Sequence, residues 1–211
     1  ENGIQQLQKL ILVLAVRGML VSQNTEEESA QFLLEQLKAN KEQLSMQKNK
    51  KGKSVSEITD DEIPFNFPKG WIFVKLGNLF HIVRGSSPRP KGDPRYFATK
   101  PTPFHWIKIA DITAYTQDGC LMNTDEYLTE EGINYSRKVD TDDIIIAASG
   151  SVGKACRLGI EGFIYDGLMA VKGIKSKTIQ SFLLLYFKTI ELSLLNEATG
   201  TSWKNINTDI L

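Results

Sequence analysis

The chain has 211 residues, of which 41% are hydrophobic and 9% aromatic, enough to bury a core and to exclude disorder throughout. The 25 Lys and Arg residues balance the 25 Asp and Glu residues, so the net charge does not by itself predict a nucleic-acid partner. Two cysteines far apart predict neither a disulfide framework nor a zinc site, and the apolar run 10–16 is too short to span a bilayer. We expect a soluble protein in a reducing, cytoplasmic setting.

The N-terminal residues have the spacing of an amphipathic helix. Ile4, Leu7, Ile11 and Leu14 recur on one face over residues 3–17. Gly18 follows directly, which is the residue type that ends helices in the left-handed conformation. The pattern predicts a first helix that is capped at Gly18.

A second helix is predicted to begin at Thr25, where Thr25-Glu26-Glu27-Glu28 has the form of a capping box. Together the two helices define an N-terminal helical region, residues 1–46. The following residues, 47–62, are polar, rich in lysine and free of aromatic side chains, which is typical of a linker.

From residue 63 onward the sequence consists of short runs of β-branched and aromatic residues separated by Pro and Gly. We predict an α+β fold with a β-rich body over 63–177 and a C-terminal helical segment over 178–211, of which 178–195 is helix. The predicted strands are 71–76, 79–84, 104–110, 143–148, 155–160 and 168–174, with a tight turn at Gly77-Asn78.

The stretch 144–155, IIIAASGSVGKA, has the outline of a phosphate-binding loop. A Walker A loop needs Gly at Ala148 and a hydroxyl at Ala155, so two functional positions fail. The turn could still place Gly150, Ser151 and Lys154 on one phosphate of a polymer, and a plain hairpin turn explains the same spacing equally well. A nucleotide hydrolase stays open as an alternative.

No other residues form a catalytic set. His81 and His105 fall in predicted strands, where a packed ring is the commoner explanation. The acids that could form a metal-dependent nuclease site lack a carboxylate-x-Lys pairing, and two of them, with a third acid, are better interpreted as a turn before a strand. These acids are Asp111, Asp142, Asp143 and Asp166, and the turn is Asp140, Asp142 and Asp143. We predict a binding protein without catalytic site, metal or cofactor.

The segment 84–97, RGSSPRPKGDPRYF, combines three prolines, two glycines, four cations and an aromatic pair directly after a strand. Prolines stiffen such a loop, and Arg is suited to bidentate contacts with guanine or phosphate. The segment Trp203-Lys204-Asn205 adds a further cationic and aromatic set. The candidate base or phosphate contacts are Arg84, Ser86, Ser87, Arg89, Lys91, Asp93, Arg95, Tyr96, Gly150, Ser151, Lys154 and Lys204.

Several stretches in this order resemble the specificity (S) subunit of type I restriction-modification enzymes. They are GIQQLQKLILVLAVRGMLVSQ (3–23), DDEIPFNFPKGWIFVKLGNLFHIVRGSSPRPKGDPRYF (60–97), WIKIADIT (106–113), TEEGINYSRKV (129–139), DIIIAASGSVGKA (143–155), IYDGLMAVKGI (164–174) and GTSWKNIN (200–207). The resemblance implies a target recognition domain flanked by conserved helices. In the family, two such domains each read one half of a bipartite DNA sequence.

The resemblance also implies the partners: double-stranded DNA, methyltransferase (M) subunits and a restriction (R) subunit, with no catalysis by the chain itself. With one recognition domain and no initiator Met, the chain is interpreted as an N-terminal half, or as a half-length subunit that self-associates through its helices. The family often has Gln or a small polar residue at Trp203, so no role is carried to that position. A protein-only scaffold, using the seam from Ile4 to Leu14, is the remaining alternative.

Overall fold

A computed structural model describes residues 2–24, 26, 28–47, 58–59, 62–63, 65–149 and 151–196. The chain divides into two compact units, one up to His81 and one from Ile82. Most of the predicted linker, 47–62, lies outside the described residues. Over the part of the chain described, none of the helices has the length and apolar character needed to cross a bilayer.

The first unit begins with helix α1, Asn2–Val16, which ends as predicted. Gly18 has a φ of +67°. Its N–H donates to the Ala15 carbonyl at 3.0 Å, while the Met19 N–H donates to the Leu14 carbonyl at 2.8 Å. This is a Schellman motif, and it confirms Gly18 as the helix cap.

The predicted start of the second helix is wrong. Helix α2 spans Ala30–Gln47, and Thr25 itself lies outside the described residues. The Asn24 side chain accepts a hydrogen bond from the Glu26 N–H at 3.1 Å, which gives this backbone a local turn instead of a first helical turn. The Ala30 N–H donates to the Gly70 carbonyl at 3.4 Å.

The predicted strand 71–76 is also absent: residues 71–75 are irregular and Leu76–Leu79 forms the one-turn helix α3. The predicted turn at Gly77-Asn78 lies inside α3. The Phe80 N–H donates to the Leu76 carbonyl at 2.9 Å, and the Lys41 ammonium donates to the Gly77 carbonyl. A short apolar run fits a strand or a helical turn equally well, and here contact with α2 decides in favour of the turn.

The strands that follow form two mixed sheets, with helices between and after them. In chain order they are β1 (His81–Arg84), β2 (Phe97–Ala98), β3 (His105–Ile107), α4 (Ile109–Tyr115), β4 (Thr116–Gln117), β5 (Cys120–Leu121), β6 (Glu126–Leu128), a 3-10 helix (Gly132–Tyr135), β7 (Arg137–Val139), β8 (Ile144–Ala147), β9 (Ala155–Leu158), β10 (Gly162–Ile164), β11 (Leu168–Lys172) and α5 (Lys177–Asn196). The strand orders are β1-β11-β8-β9-β5-β4 and β2-β6-β3-β10-β7.

The core lies between these sheets. Ile145, Ala147 and Ala170 of the first sheet share one buried cluster with Ile107 and Ile164 of the second. Alternate residues of β8 point the other way, where α5 packs over β8 and β9. The buried Leu183 and Phe187 belong to that helix. Helices at both ends and a sheet-rich middle confirm the predicted α+β class.

Most strand predictions are confirmed with shorter ends, as β1, β8, β9 and β11, and the C-terminal helix is confirmed as α5. The predicted strand 104–110 is right as far as Ile107, after which α4 begins. The Asp111 carboxylate accepts the Lys108 N–H at 2.7 Å and caps α4, which ends the strand there.

Candidate functional site

The loop 84–96 leaves β1 in close contact with the connection between β10 and β11. The Gly85 N–H donates to the Leu168 carbonyl at 2.9 Å, and the Ser86 N–H donates to the Ile164 carbonyl at 3.1 Å. A Cβ atom on Gly85 would lie 1.9 Å from the Tyr165 carbonyl oxygen, so the approach requires glycine. The start of the loop is therefore bound to the sheet by its backbone.

Asp166 joins three of the predicted contact residues. Its Oδ1 accepts the Ser87 hydroxyl at 2.9 Å, and its Oδ2 accepts Arg89 Nη2 at 2.9 Å. Its carbonyl oxygen accepts Arg84 Nε at 3.0 Å. The Arg89 side chain nevertheless remains 71% exposed. The structure thus brings Arg84, Ser87 and Arg89 together on one carboxylate-bearing turn.

The far end of the loop is held by Asp93 and Arg95. Arg95 Nη2 lies 2.8 Å from Asp93 Oδ2, and the Arg95 N–H donates to the same carboxylate at 2.9 Å. This arginine lowers the pKa of Asp93, and the carboxylate in turn raises the pKa of Arg95. The pair closes the loop locally and leaves its outer edge accessible.

Tyr96 is only 8% exposed, which places this residue beneath the surface instead of on it. The Arg95 guanidinium lies over it at 5.1 Å, and the Tyr135 ring is 5.0 Å away. Lys91, near the middle of the loop, is exposed and has no ion-pair partner among the described residues.

The second predicted element, the turn 149–154, is shaped by its contact with α5. Gly153 has a φ of +86°, and a Cβ atom there would lie 2.8 Å from the Glu191 backbone nitrogen. The Lys154 ammonium donates to the Thr113 hydroxyl, and Ser151 is exposed. Helix packing therefore explains the Gly153-Lys154 pair without a nucleotide phosphate.

The loop and the turn flank the same short connection, Tyr165–Gly167. The Tyr165 hydroxyl shares a hydrogen bond with Ser149, and burial raises the Tyr165 pKa. The Ala148 N–H donates to the Gly167 carbonyl at 2.9 Å. Two predicted contact residues, Gly150 and Lys204, lie outside the described residues, as does Trp203.

Two residues of this region were not among the sequence-predicted contacts. Asp166 was considered only as a metal ligand, although the Asp166-Gly167 pair indicated a turn. Tyr135 is 49% exposed, and its carbonyl accepts the Ser86 hydroxyl at 2.9 Å. Neither contact follows from sequence spacing, because the partners are about 50 to 80 positions apart in the chain.

His105 and Asp142, which were both considered for catalysis, have structural partners. His105 Nδ1 lies 3.0 Å from the Thr124 hydroxyl, and burial lowers its pKa. Asp142, with a φ of +71°, forms the predicted turn before β8 and pairs with Arg157 at 2.7 Å and Lys177 at 2.6 Å. The described residues contain no group of three His, Cys, Asp or Glu side chains arranged to hold a metal ion.

Comparison with known proteins identifies a family. The profile of the type I restriction modification DNA specificity domain matches residues 68–211. The chain is 45% identical over 81 residues to the type I restriction enzyme EcoEI specificity subunit of Escherichia coli, covering 38% of this chain and 14% of that protein. It is 44% identical over 86 residues to the EcoAI specificity subunit of the same species, covering 40% and 15%.

Two solved structures share similarity over most of the chain. One is the HsdS subunit from Thermoanaerobacter tengcongensis, with a TM-score of 0.48 and 19% identity over 84% of this chain and 40% of that one. The other comes from a study of complex assembly and conformational transition of the type I R-M system, with a TM-score of 0.47 and 19% identity over 94% and 44%. The similarity covers less than half of each solved chain.

Proposed function

The chain belongs to the family of type I restriction-modification specificity subunits, and from that premise we propose that it reads one half of a bipartite target in double-stranded DNA. In this proposal the loop 84–96 lies against the base edges, with the turn 149–154 on the sugar-phosphate backbone. The chain contributes recognition alone, and M and R subunits docked on it in the cytoplasm carry out methylation and cleavage.

The observation that carries the proposal is the combination of a fixed loop with exposed cations. The loop is bonded to the sheet at Gly85 and Ser86 and closed by the Asp93–Arg95 pair. A preformed loop loses little conformational entropy on binding, so more of the contact energy appears as affinity. Arg89 and Lys91 stay exposed at its outer edge, where they can reach a partner.

The residue types suit DNA. A guanidinium can donate two parallel hydrogen bonds to the O6 and N7 atoms of guanine, and Lys can contact either base or phosphate. We propose Arg84, Arg89, Lys91 and Arg95 as base or phosphate contacts. The secondary contacts are Ser86, Ser87 and Asp93, and the backbone contacts are Gly150, Ser151, Lys154 and Lys204. The buried Tyr96 supports the loop from beneath instead of contacting DNA.

The decisive experiment uses the full chain with the M subunits of its system and maps the DNA motif that becomes methylated. Arg89→Ala should relax one position of that motif and weaken target binding by about tenfold or more, since a specific Arg–base pair is worth about 1–3 kcal/mol. Lys175→Ala, which removes an exposed cation outside the loop, is the control and should leave the motif unchanged.

An unchanged motif and affinity in Arg89→Ala would remove the loop from the interface. Binding to duplex DNA should also weaken as salt rises, because phosphate contacts release counterions. A complex that methylates no defined motif would refute the proposed function as a whole.

A further inference from the structure

Building on the proposed function, we infer that Asp166 is a positioning residue that sets the sequence discrimination of Arg89. It lies in the connection between β10 and β11, outside the loop that contains the arginine. Its carboxylate holds the guanidinium by one edge, and its negative charge reduces attraction to phosphates of any sequence.

The geometry fixes the carboxylate before it meets Arg89. Oδ1 accepts the Ser87 hydroxyl at 2.9 Å, and the Ser87 oxygen accepts the Asp166 N–H at 3.3 Å. With one oxygen and the backbone tied to Ser87, Oδ2 is aimed at Arg89 Nη2, 2.9 Å away. Arg84 adds a hydrogen bond to the Asp166 carbonyl at 3.0 Å.

An arginine held this way is better prepared to read a base. A guanidinium has five N–H donors, so one can bind the carboxylate while others remain for the O6 and N7 atoms of guanine. A free arginine would have to give up its rotamer freedom on binding, and the carboxylate has already restricted it. The held arginine therefore favours one base arrangement over others.

The charge of Asp166 acts in the same direction. Binding to DNA of unrelated sequence depends on phosphate contacts, which an acid beside the loop opposes. Binding to the target gains the oriented base contact as well. The ratio of target to unrelated binding should therefore be higher with Asp166 than without it.

A purely structural tie explains these contacts less well. The Arg89 and Asp166 side chains are 71% and 46% exposed, and exposed ion pairs add little to stability. Stability alone thus gives little reason for an acid to lie against a cation of a loop that meets a polyanion.

The test compares wild-type chain, Asp166→Asn, Arg89→Ala and the double variant, each assembled with the M subunits. Wild-type complex first selects a target from duplexes with a randomised central segment. Affinities are then measured for that target and for a scrambled duplex of equal length. Asp166→Asn should bind the target on the order of tenfold more weakly and the scrambled duplex equally or more tightly.

The double variant should discriminate no worse than Arg89→Ala alone, because Asp166 acts through Arg89. Equal weakening on both duplexes together with a lower melting temperature would indicate a structural tie and overturn the inference. An unchanged ratio in Asp166→Asn would also overturn it.

Arg89→Lys keeps both charges and removes the fork geometry, so it tests the idea even if Asp166→Asn does not fold. It should keep its affinity for the scrambled duplex and lose discrimination, and wild-type discrimination would contradict the inference. If the wild-type complex selects no target, the proposed function fails and the inference with it. If the target is selected and the variants discriminate normally, the inference alone fails.

Discussion

Replacing Gly85 by alanine should disrupt the attachment of the loop to the sheet. The new Cβ atom would lie 1.9 Å from the Tyr165 carbonyl oxygen and 2.6 Å from that of Ile164. Carbon and oxygen in contact are separated by roughly 3.3 Å or more, so one backbone must move by about 1.4 Å. Both obstacles are backbone atoms in a sheet connection, which cannot rotate away as a side-chain end could.

The energetic cost follows from what this movement breaks. The hydrogen bonds from the Gly85 N–H to Leu168 and from the Ser86 N–H to Ile164 each contribute about 1 kcal/mol. Overpacking adds about 1–3 kcal/mol. Gly85→Ala should therefore lower the free energy of unfolding by about 3–5 kcal/mol, measured by urea unfolding followed by circular dichroism.

Gly92→Ala is the matched control in the same loop. Gly92 has a φ of +78° but no atom within 4 Å of its Cβ position, so alanine costs only the left-handed backbone strain, about 1 kcal/mol. If Gly85→Ala unfolds within about 1 kcal/mol of wild type, the loop is not held against the sheet. A loop that is not held against the sheet would not be preformed for a partner.

Two further variants probe the second unit. Lys177 and, to a smaller extent, Arg157 lower the pKa of Asp142 in the folded chain. The unfolded chain therefore binds more protons in the acid range, and stability is lost as pH falls below about 4. Asp142→Asn, which tolerates the positive φ, should flatten that loss in urea unfolding at a series of pH values; an unaltered pH profile would contradict the ion pairs. Phe187 on α5 is 0% exposed, so Phe187→Ala should lower the free energy of unfolding by about 3–5 kcal/mol. Leu185 on the same helix is 46% exposed, so Leu185→Ala should lower it by less than about 1 kcal/mol. Equal losses in the two variants would contradict the packing of α5.

The sequence pattern correctly predicted those elements whose burial and contacts in the tertiary structure match the pattern. The run Ile144–Ala147 is buried on both faces, which is the environment that its continuous apolar pattern predicts for a strand. Gly18 ends α1 because the left-handed conformation is a local requirement. The segment 71–76 failed because its apolar residues fit two geometries, and contact with α2 chose between them.

In the candidate site, too, the sequence predicted one feature and missed another. The loop 84–96 was found from its prolines, glycines and arginines, because composition alone indicates an exposed, stiff, cationic segment. Its partner Asp166 was missed as such, since it lies 77 positions from Arg89 and meets it only when β11 pairs beside β1. Sequence spacing alone does not indicate that these two residues are in contact.

The sequence by itself determined the α+β class, the three longer helices and five of the eleven strands in the described part of the chain, and it indicated loop 84–96 as a candidate binding segment, because these depend on periodicity and residue type over short ranges. Only the tertiary structure decided what individual residues contact. Gly153 and Lys154, which looked like part of a phosphate loop, are explained by the backbone of α5 and by Thr113. Arg89, which the sequence indicated only as a predicted contact residue, is paired with Asp166, because pairing the strands brings distant turns into contact.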